Sequence, residues 1–223
     1  MTQPQMDWDA AYRQETPPPW SIGRPQPELA ALIDEGKIRS DVLDSGCGHA
    51  ELSLALAARG YTVVGLDASA TAIHAAAAAA AERGLTTATF AQADVTNFGG
   101  YDGRFSTILD SGLFHALPPE SRQDYLQSIF RAAAPGAALY ILAFAAGALG
   151  PQSADRPGPR GFTETELHDT VAQLWQVDDV RPAKLYGNAA ALAAAGDPLP
   201  EVEFDTDGHF MAPGFLLSAH KPS

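Results

Sequence analysis

The chain has 223 residues, of which 46% are hydrophobic and 18% are charged, so it is long enough to fold as one globular domain with a sizeable core. Its formal net charge of −13 argues against a nucleic acid or an anionic membrane as partner, because either would be repelled. The single cysteine, Cys47, excludes an internal disulfide and a cysteine-based zinc cluster. Without a membrane-spanning apolar run or a signal peptide, the sequence predicts a cytoplasmic protein.

The first 27 residues are polar but include the aromatic side chains Trp8, Tyr12 and Trp20. They could form a disordered tail, or a segment that packs onto the rest of the chain. Because tryptophan is costly to leave in water, we expect packing. Residues 1–27 are therefore predicted to be an N-terminal lid, and residues 28–223 a single domain.

From residue 27 onward, helix and strand patterns alternate. Strands are predicted at 41–44, 61–66, 86–92, 105–109 and 137–143, and helices at 27–36, 50–59, 69–83, 119–133 and 163–174. Two later segments, 175–185 and 201–219, predict an antiparallel closing hairpin. The alternation predicts an α/β fold: a Rossmann-like, doubly wound and mostly parallel seven-stranded sheet. A linker rich in Gly, Pro and Ala follows Phe144 up to Gly161, and residues 187–200 have no clear pattern.

The first predicted strand ends in the tight turn Asp44-Ser45-Gly46-Cys47-Gly48, before a helix. Glycine allows a sharp turn and close approach of a ligand, and the helix start supplies unpaired N–H groups. The turn therefore predicts a cofactor cradle. A dinucleotide-binding turn would need a third glycine where Glu51 stands, and its carboxylate would face a pyrophosphate, which counts against NAD.

Four successive predicted strands are each followed by or end in an acid: Asp44, Asp67, Asp94 and Asp110. Parallel strands present their carboxyl ends at one edge of the sheet, where nucleotide-type cofactors bind. Asp67 can accept hydrogen bonds from ribose hydroxyls, or it could simply cap the next helix. Asp94 can accept from an adenine amine, with Val95 against the ring.

With these motifs, residues 38–145 resemble the class I S-adenosylmethionine-dependent methyltransferases, in which a further glycine often stands where this chain has Ala50. The resemblance implies S-adenosyl-L-methionine as cofactor, with the glycine turn at its methionine end and Asp110 near the methionine amino group. The cofactor-binding residues expected on this basis are Asp44, Gly46, Gly48, Asp67, Ala68, Asp94, Val95, Asp110 and Trp20.

Residues 20–29 are similar to a narrower group, the small-molecule methyltransferases related to thiopurine and thiol enzymes. Bacterial members of that broad group methylate hydroxyls on quinolone-like or phenolic heterocycles. In such enzymes the N-terminal segment folds over cofactor and substrate. The resemblance therefore implies a lid and a small aromatic acceptor.

Methyl transfer to a hydroxyl needs a proton to be removed, and His115 lies just beyond the fourth strand, where the acceptor would sit. An imidazole suits a general base near neutral pH, although His115 could instead pack beside Phe114. The expected acceptor-site residues are Asp9, Tyr12, Phe114, His115 and Phe144. No metal site is expected, because residues 143–146 offer no ligands after the fifth strand.

Several functions remain open from the sequence. We expect methyl transfer to a hydroxyl oxygen of a small aromatic or heterocyclic molecule, by a monomer or homodimer. Methylation of a thiol or thiopurine, and non-catalytic binding of S-adenosylmethionine, are alternatives. An NAD-dependent oxidoreductase is disfavoured by Glu51 and by the acid at Asp44.

Overall fold

In the computed structural model of this chain, the structure describes residues 6–14, 16–150, 159–194 and 202–223. Within these residues the helices are α1 (Trp8–Tyr12), α2 (Pro27–Asp34), α3 (Glu51–Ala58), α4 (Ala70–Glu82), α5 (Arg122–Ala132), α6 (Glu164–Val171) and α7 (Ala189–Ala194). The strands are β1 (Val42–Ser45), β2 (Val63–Asp67), β3 (Ala88–Gln92), β4 (Phe105–Ser111), β5 (Ala133–Phe144), β6 (Gln176–Asn188), β7 (Glu203–Phe204) and β8 (His209–His220). Across the described ranges, every helix is too short or too polar to cross a membrane.

The described strands form one sheet in the order β3-β2-β1-β4-β5-β8-β6, and the short β7 pairs with β8 outside this path. The first five strands of that order are parallel, whereas β8 runs antiparallel to both β5 and β6. The predicted α/β fold, with a mostly parallel sheet and an antiparallel closing hairpin, is confirmed. Because the strand order reverses at β1, a crevice opens at its carboxyl end, which is where such sheets bind ligands.

Successive residues of β1 point to opposite faces of the sheet and enter different apolar clusters. Val42 packs with Leu29 and Leu56 from α2 and α3, whereas Leu43 packs with Leu126 and Ile129 from α5 on the other face. Helices therefore cover both faces, as a buried parallel sheet requires. The two layers fix the carboxyl ends of the strands relative to one another.

The predicted boundary between the fourth helix and the fifth strand is wrong. Pro135 and Gly136 were expected to end the helix, but they lie inside β5, which begins at Ala133. The pairing with β4 shifts there, from Phe105 opposite Ala133 to Thr107 opposite Ala138. A bulge accommodates a proline, which lacks the N–H that a regular ladder would use.

The two ends of the predicted 144–161 linker are held together. Phe162 donates its backbone N–H to the Phe144 carbonyl at 2.9 Å, and Ala146 donates to the Phe162 carbonyl at 2.8 Å. A side chain on Gly161 would lie 2.2 Å from the Ala145 carbonyl oxygen, so this close approach requires glycine. The middle of the linker, 151–158, and residues 195–201 lie outside the described residues.

Candidate active site

In the turn after β1, every second residue has a left-handed backbone conformation: φ is 70° at Gly46, 53° at Gly48 and 64° at Ala50. A Cβ on Gly46 would lie 2.9 Å from the Leu113 Cβ, and one on Gly48 would lie 2.5 Å from the Tyr12 hydroxyl oxygen. Both glycines are thus required by conformation and by contact. Ala50 adopts the same conformation with a side chain, at a cost of about 1 kcal/mol.

Asp67, at the end of β2, is held by the turn itself. Its carboxylate accepts the Gly48 N–H and the Ser69 N–H, both at 2.9 Å. A carboxylate has about four acceptor positions, so two remain after these bonds. Burial raises the pKa of Asp67, against the lowering effect of the nearby backbone N–H groups of Ser69, Gly48 and Ala68. The remaining oxygen lone pairs suit the vicinal hydroxyls of a ribose.

Asp44 lies in β1 with 1% of its surface exposed, and it accepts a hydrogen bond from the Ser53 hydroxyl at 2.6 Å. Burial raises its pKa to about 6. Within the described residues, no Lys or Arg forms an ion pair with Asp44 or Asp67. A buried acid without a cation of its own fits a positively charged ligand, because the ligand supplies the missing charge.

Asp94 and Val95 follow β3, which pairs with β2 so that Asp67 stands opposite Gln92. Asp94 is exposed and accepts from the backbone N–H and the hydroxyl of Thr96, at 2.9 and 2.6 Å. Val95 is 6% exposed and belongs to the main core. Ala68 is exposed, and its carbonyl accepts from the Gln92 side chain at 2.9 Å. The adenine-side roles predicted for Asp94 and Val95, and the cofactor contact predicted for Ala68, stay predictions.

Asp110, at the end of β4, is fully buried and has three internal partners. It accepts the N–H groups of Leu113 and Phe114 at 2.9 and 3.2 Å and the Tyr125 hydroxyl at 2.8 Å. Burial raises the pKa of Asp110 to about 7. Through these bonds the carboxylate stabilises the turn after β4, which is a structural reason for an acid at this position. Its predicted place near the methionine amino group stays a prediction.

The N-terminal segment lies over the glycine turn. The Trp20 indole N–H donates to the Tyr12 hydroxyl at 2.9 Å, and the Tyr12 ring packs edge-on against His49 at 4.9 Å. Asp9 faces a different neighbour, because it accepts from the Ser69 hydroxyl at 2.6 Å and the Thr71 N–H at 2.9 Å. These hydrogen bonds lower the pKa of Asp9. They attach α1 to the start of α4 and give Asp9 a tethering role that the sequence did not suggest.

An open cleft lies between this segment and the glycine turn. Five predicted residues line it: Tyr12, Trp20, Asp44, Gly46 and Gly48. Sequence reasoning did not single out Ser21, Arg24, Gln26 and Ser111, which also line it, as do His49 and Glu51 beside the glycine turn. Of these, Ser21 donates to the Glu51 carboxylate. For Ser21, Arg24 and Gln26 the sequence signal was proximity to Trp20, and for Ser111 it was the acid Asp110 that precedes it.

His115 and Phe144 meet at the carboxyl ends of the neighbouring strands β4 and β5. The His115 ring lies 4.4 Å from the Phe144 ring, and its Nδ1 accepts the Phe144 backbone N–H at 3.0 Å. Nδ1 therefore carries no proton, and a neutral ring has its hydrogen on Nε2. Burial, with a smaller effect of the Arg122 charge, lowers the pKa of His115 to about 3. This environment keeps the imidazole neutral at physiological pH.

Phe114 is fully buried and stacks on Phe162, with ring centroids 5.1 Å apart. The Arg122 guanidinium lies 4.1 Å from the Phe162 centroid and donates to the Arg160 carbonyl at 2.8 Å. Phe114 thus lies within the main core. Direct contact between Phe114 and an acceptor stays a prediction.

Comparison with known proteins identifies the family to which this chain belongs. A family model described as a methyltransferase domain matches residues 42–136, which include the glycine turn and the four strand-end acids. A 2-heptyl-1-hydroxyquinolin-4(1H)-one methyltransferase of Mycobacteroides abscessus is 49% identical over 221 residues, covering 96% of this chain and 96% of that protein. The chain belongs to the class I S-adenosylmethionine-dependent methyltransferases.

Two solved structures share the fold of this methyltransferase. One, from a study of the conversion of a disulfide bond into a thioacetal group during echinomycin biosynthesis, is 32% identical with a TM-score of 0.80, covering 96% of this chain and 91% of that one. The Burkholderia thailandensis 1,6-didemethyltoxoflavin-N1-methyltransferase, with S-adenosylhomocysteine bound, is 20% identical with a TM-score of 0.64, covering 96% and 80% of the two chains. That second likeness shows the shared fold.

The cofactor of this methyltransferase is S-adenosyl-L-methionine, as expected, and the site fits it. The glycine turn is a cradle that side chains would fill, and the buried acids suit a ligand with an ammonium and a sulfonium group. Asp67 retains lone pairs for ribose hydroxyls. The assignment of individual residues to parts of the cofactor remains a prediction.

Proposed function

We propose that this methyltransferase methylates the hydroxyl oxygen of a small aromatic heterocycle, of the N-hydroxyquinolone kind. The observation that carries the proposal is the 49% identity, over almost the whole of both chains, to an enzyme named for such a substrate. The apolar surroundings of His115 on the acceptor side are consistent with a flat aromatic acceptor. The cytoplasmic location and a monomeric or homodimeric state stay predictions.

The reaction is an in-line displacement that depends mainly on positioning. S-adenosylmethionine supplies a methyl group on a positively charged sulfur; the oxygen–carbon bond forms as the carbon–sulfur bond breaks, and the hydroxyl proton leaves to solvent. For an N-hydroxyquinolone the products are the N-methoxy compound and S-adenosylhomocysteine. Asp44 and Asp67 hold the cofactor, while residues at the ends of β4 and β5 orient the acceptor oxygen.

Within this proposal His115 donates a hydrogen bond to the acceptor and does not remove its proton. The Phe144 N–H occupies Nδ1, and Nε2 has its hydrogen and no hydrogen-bond partner among the described residues. A ring with a pKa of about 3 is a poor proton acceptor near neutral pH. The geometry therefore favours acceptors acidic enough to ionise unaided, and it disfavours the general base that the sequence predicted.

Methylation of a thiol is the second candidate. It is favoured by the 32% identical structure, which comes from a study of sulfur chemistry in echinomycin biosynthesis. A thiol also ionises without a strong base, so the neutral His115 is compatible with it. The two candidates differ in the acceptor atom and share the cofactor site.

The test is to incubate the purified enzyme with S-adenosylmethionine and 2-heptyl-1-hydroxyquinolin-4-one, and to follow the N-methoxy product by mass spectrometry. The same quinolone without its N-hydroxyl group is the matched control, and aliphatic and aromatic thiols test the second candidate. The proposal expects methylation of the N-hydroxy compound alone. Faster methylation of thiols would support the second candidate, and no product from any acceptor would contradict both.

A further inference from the structure

The side chain of Tyr12 contacts the glycine turn. Its hydroxyl oxygen would be 2.5 Å from a Cβ on Gly48, and the ring contacts His49. Burial raises the pKa of Tyr12 far above its ordinary value, and the nearby charge of Asp67 raises it further. The phenol is therefore protonated and stands between the turn and the acid at the end of β2.

The Tyr12 hydroxyl has an unused hydrogen. The oxygen accepts from the Trp20 indole N–H at 2.9 Å, and across the described residues the hydroxyl donates to no protein acceptor. A phenol can donate and accept at once, so the bond from Trp20 leaves its own hydrogen available. The cleft is where that hydrogen can be used, since Tyr12 is among its lining residues.

Helix α1 holds Tyr12 in this place through Asp9, one turn earlier on the same helix. Asp9 binds the Ser69 hydroxyl and the Thr71 N–H, while the Ser69 N–H binds Asp67. A chain of hydrogen bonds thus joins α1 to the acid expected to hold the ribose. Ser69 therefore contacts both the N-terminal segment, through Asp9, and the cofactor site, through Asp67.

We propose that Tyr12 is a cofactor-binding residue, whose hydroxyl donates a hydrogen bond to an oxygen of S-adenosylmethionine, and that Asp9 is the positioning residue that holds it there. This differs from the acceptor-site role that the sequence predicted for both residues. It depends on the cofactor, and it is independent of which acceptor is methylated. The oxygen belongs either to the amino-acid carboxylate or to a ribose hydroxyl.

Calorimetric titration tests the proposal without any acceptor. Tyr12→Phe keeps the ring and loses the hydroxyl, so the Kd for S-adenosylhomocysteine should rise about five- to tenfold. Asp9→Ala should raise it by a similar factor, although Asp9 does not touch the cofactor. Tyr61→Phe is the matched control, because Tyr61 precedes β2 at the amino end of the sheet, and its Kd should stay within twofold of wild type.

Titration with 5′-methylthioadenosine, which lacks the amino-acid end, separates the two oxygens. An equal loss for both ligands would place the bond at the ribose, and a loss for S-adenosylhomocysteine alone would place it at the carboxylate; either outcome supports the proposal. An unchanged Kd for both ligands in Tyr12→Phe would overturn it, as would a raised KM for the acceptor alone. Absence of turnover with every acceptor would count against the proposed function and leave this titration valid.

Discussion

The backbone N–H of Phe144 donates a hydrogen bond to Nδ1 of His115 over 3.0 Å. The donor is fixed in the last residue of β5, and the ring packs on the side chain of the same phenylalanine. Because a backbone N–H can only donate, this contact fixes the tautomer of the neutral ring, with the hydrogen on Nε2. The strand end thereby occupies Nδ1 and leaves Nε2 as the ring nitrogen that carries the hydrogen.

Replacing His115 should lower the activity and leave the pH dependence of the rate unchanged. We expect His115→Asn, whose carbonyl can still accept the Phe144 N–H, and His115→Phe both to reduce kcat/KM about tenfold, as for one lost hydrogen bond to the acceptor. The pH dependence of kcat should keep the same shape, because the pKa of about 3 leaves His115 neutral above pH 4. Steady-state rates between pH 5 and 9 provide the measurement.

A general base would behave differently. The wild-type profile would then show an acid limb near pH 6.5 that both His115 variants lose. Acceptors of different acidity supply the control: with no base in the protein, the acid limb should move with the pKa of each acceptor.

Removal of the Asp110 carboxylate should destabilise the fold. Asp110→Ala leaves two N–H groups and the Tyr125 hydroxyl without their buried partner, so the free energy of unfolding should fall by roughly 3 kcal/mol or more. Asp110→Asn keeps the acceptor for the two N–H groups and should lose much less. Urea unfolding of the two variants measures the difference, and equal losses would contradict the assigned contacts.

Asp110 should also give stability a measurable pH dependence. Its folded pKa of about 7 lies above the ordinary value of 3.8, so between these values the folded state holds a proton that the unfolded state has released. The stabilisation is full below about pH 4 and is lost as the pH rises through 7. The difference in unfolding free energy between wild type and Asp110→Asn should therefore shift with this sign, and no change from pH 4 to 8 would refute it.

Gly48 should be more sensitive to a side chain than other glycines of similar backbone conformation. In Gly48→Ala the new Cβ meets the Tyr12 hydroxyl as well as an unfavourable φ of 53°, so the Kd for S-adenosylhomocysteine should rise more than tenfold. Gly84→Ala is the control, since φ is 66° there and no atom lies within 4 Å. Gly84→Ala should lose stability and keep its affinity; equal affinities of the two variants would contradict the contact.

Cofactor affinity should weaken in acid because of Asp44. Its pKa of about 6 means that the carboxylate becomes protonated below that pH and no longer attracts a positively charged ligand. The Kd for S-adenosylhomocysteine, which keeps its ammonium group, should rise about tenfold between pH 7 and 5. Asp44→Asn should show weak binding with little pH dependence over this range; a slope like that of wild type would assign the effect to another group.

The sequence alone was sufficient to predict the parallel sheet of this protein and the position of its cofactor site. Alternating apolar segments predicted the parallel sheet, and the Gly46 and Gly48 turn between a strand and a helix predicted the cofactor cradle. Both are local patterns, because backbone periodicity and the need for positive φ are written in neighbouring residues. The capping box of Thr163 and Glu166 at the start of α6 is local in the same way, since its two residues are three positions apart.

Only the tertiary structure decided which partner each side chain has. Asp9 bonds to Ser69, and Asp110 bonds to Tyr125, across separations that no local pattern reports. Whether an acid faces a ligand or a buried hydroxyl, and whether His115 is base or donor, depends on the direction of side chains after the strands and helices pack. The sequence therefore determined the fold and the class of cofactor, whereas the packing of distant segments determined the chemistry available to each residue.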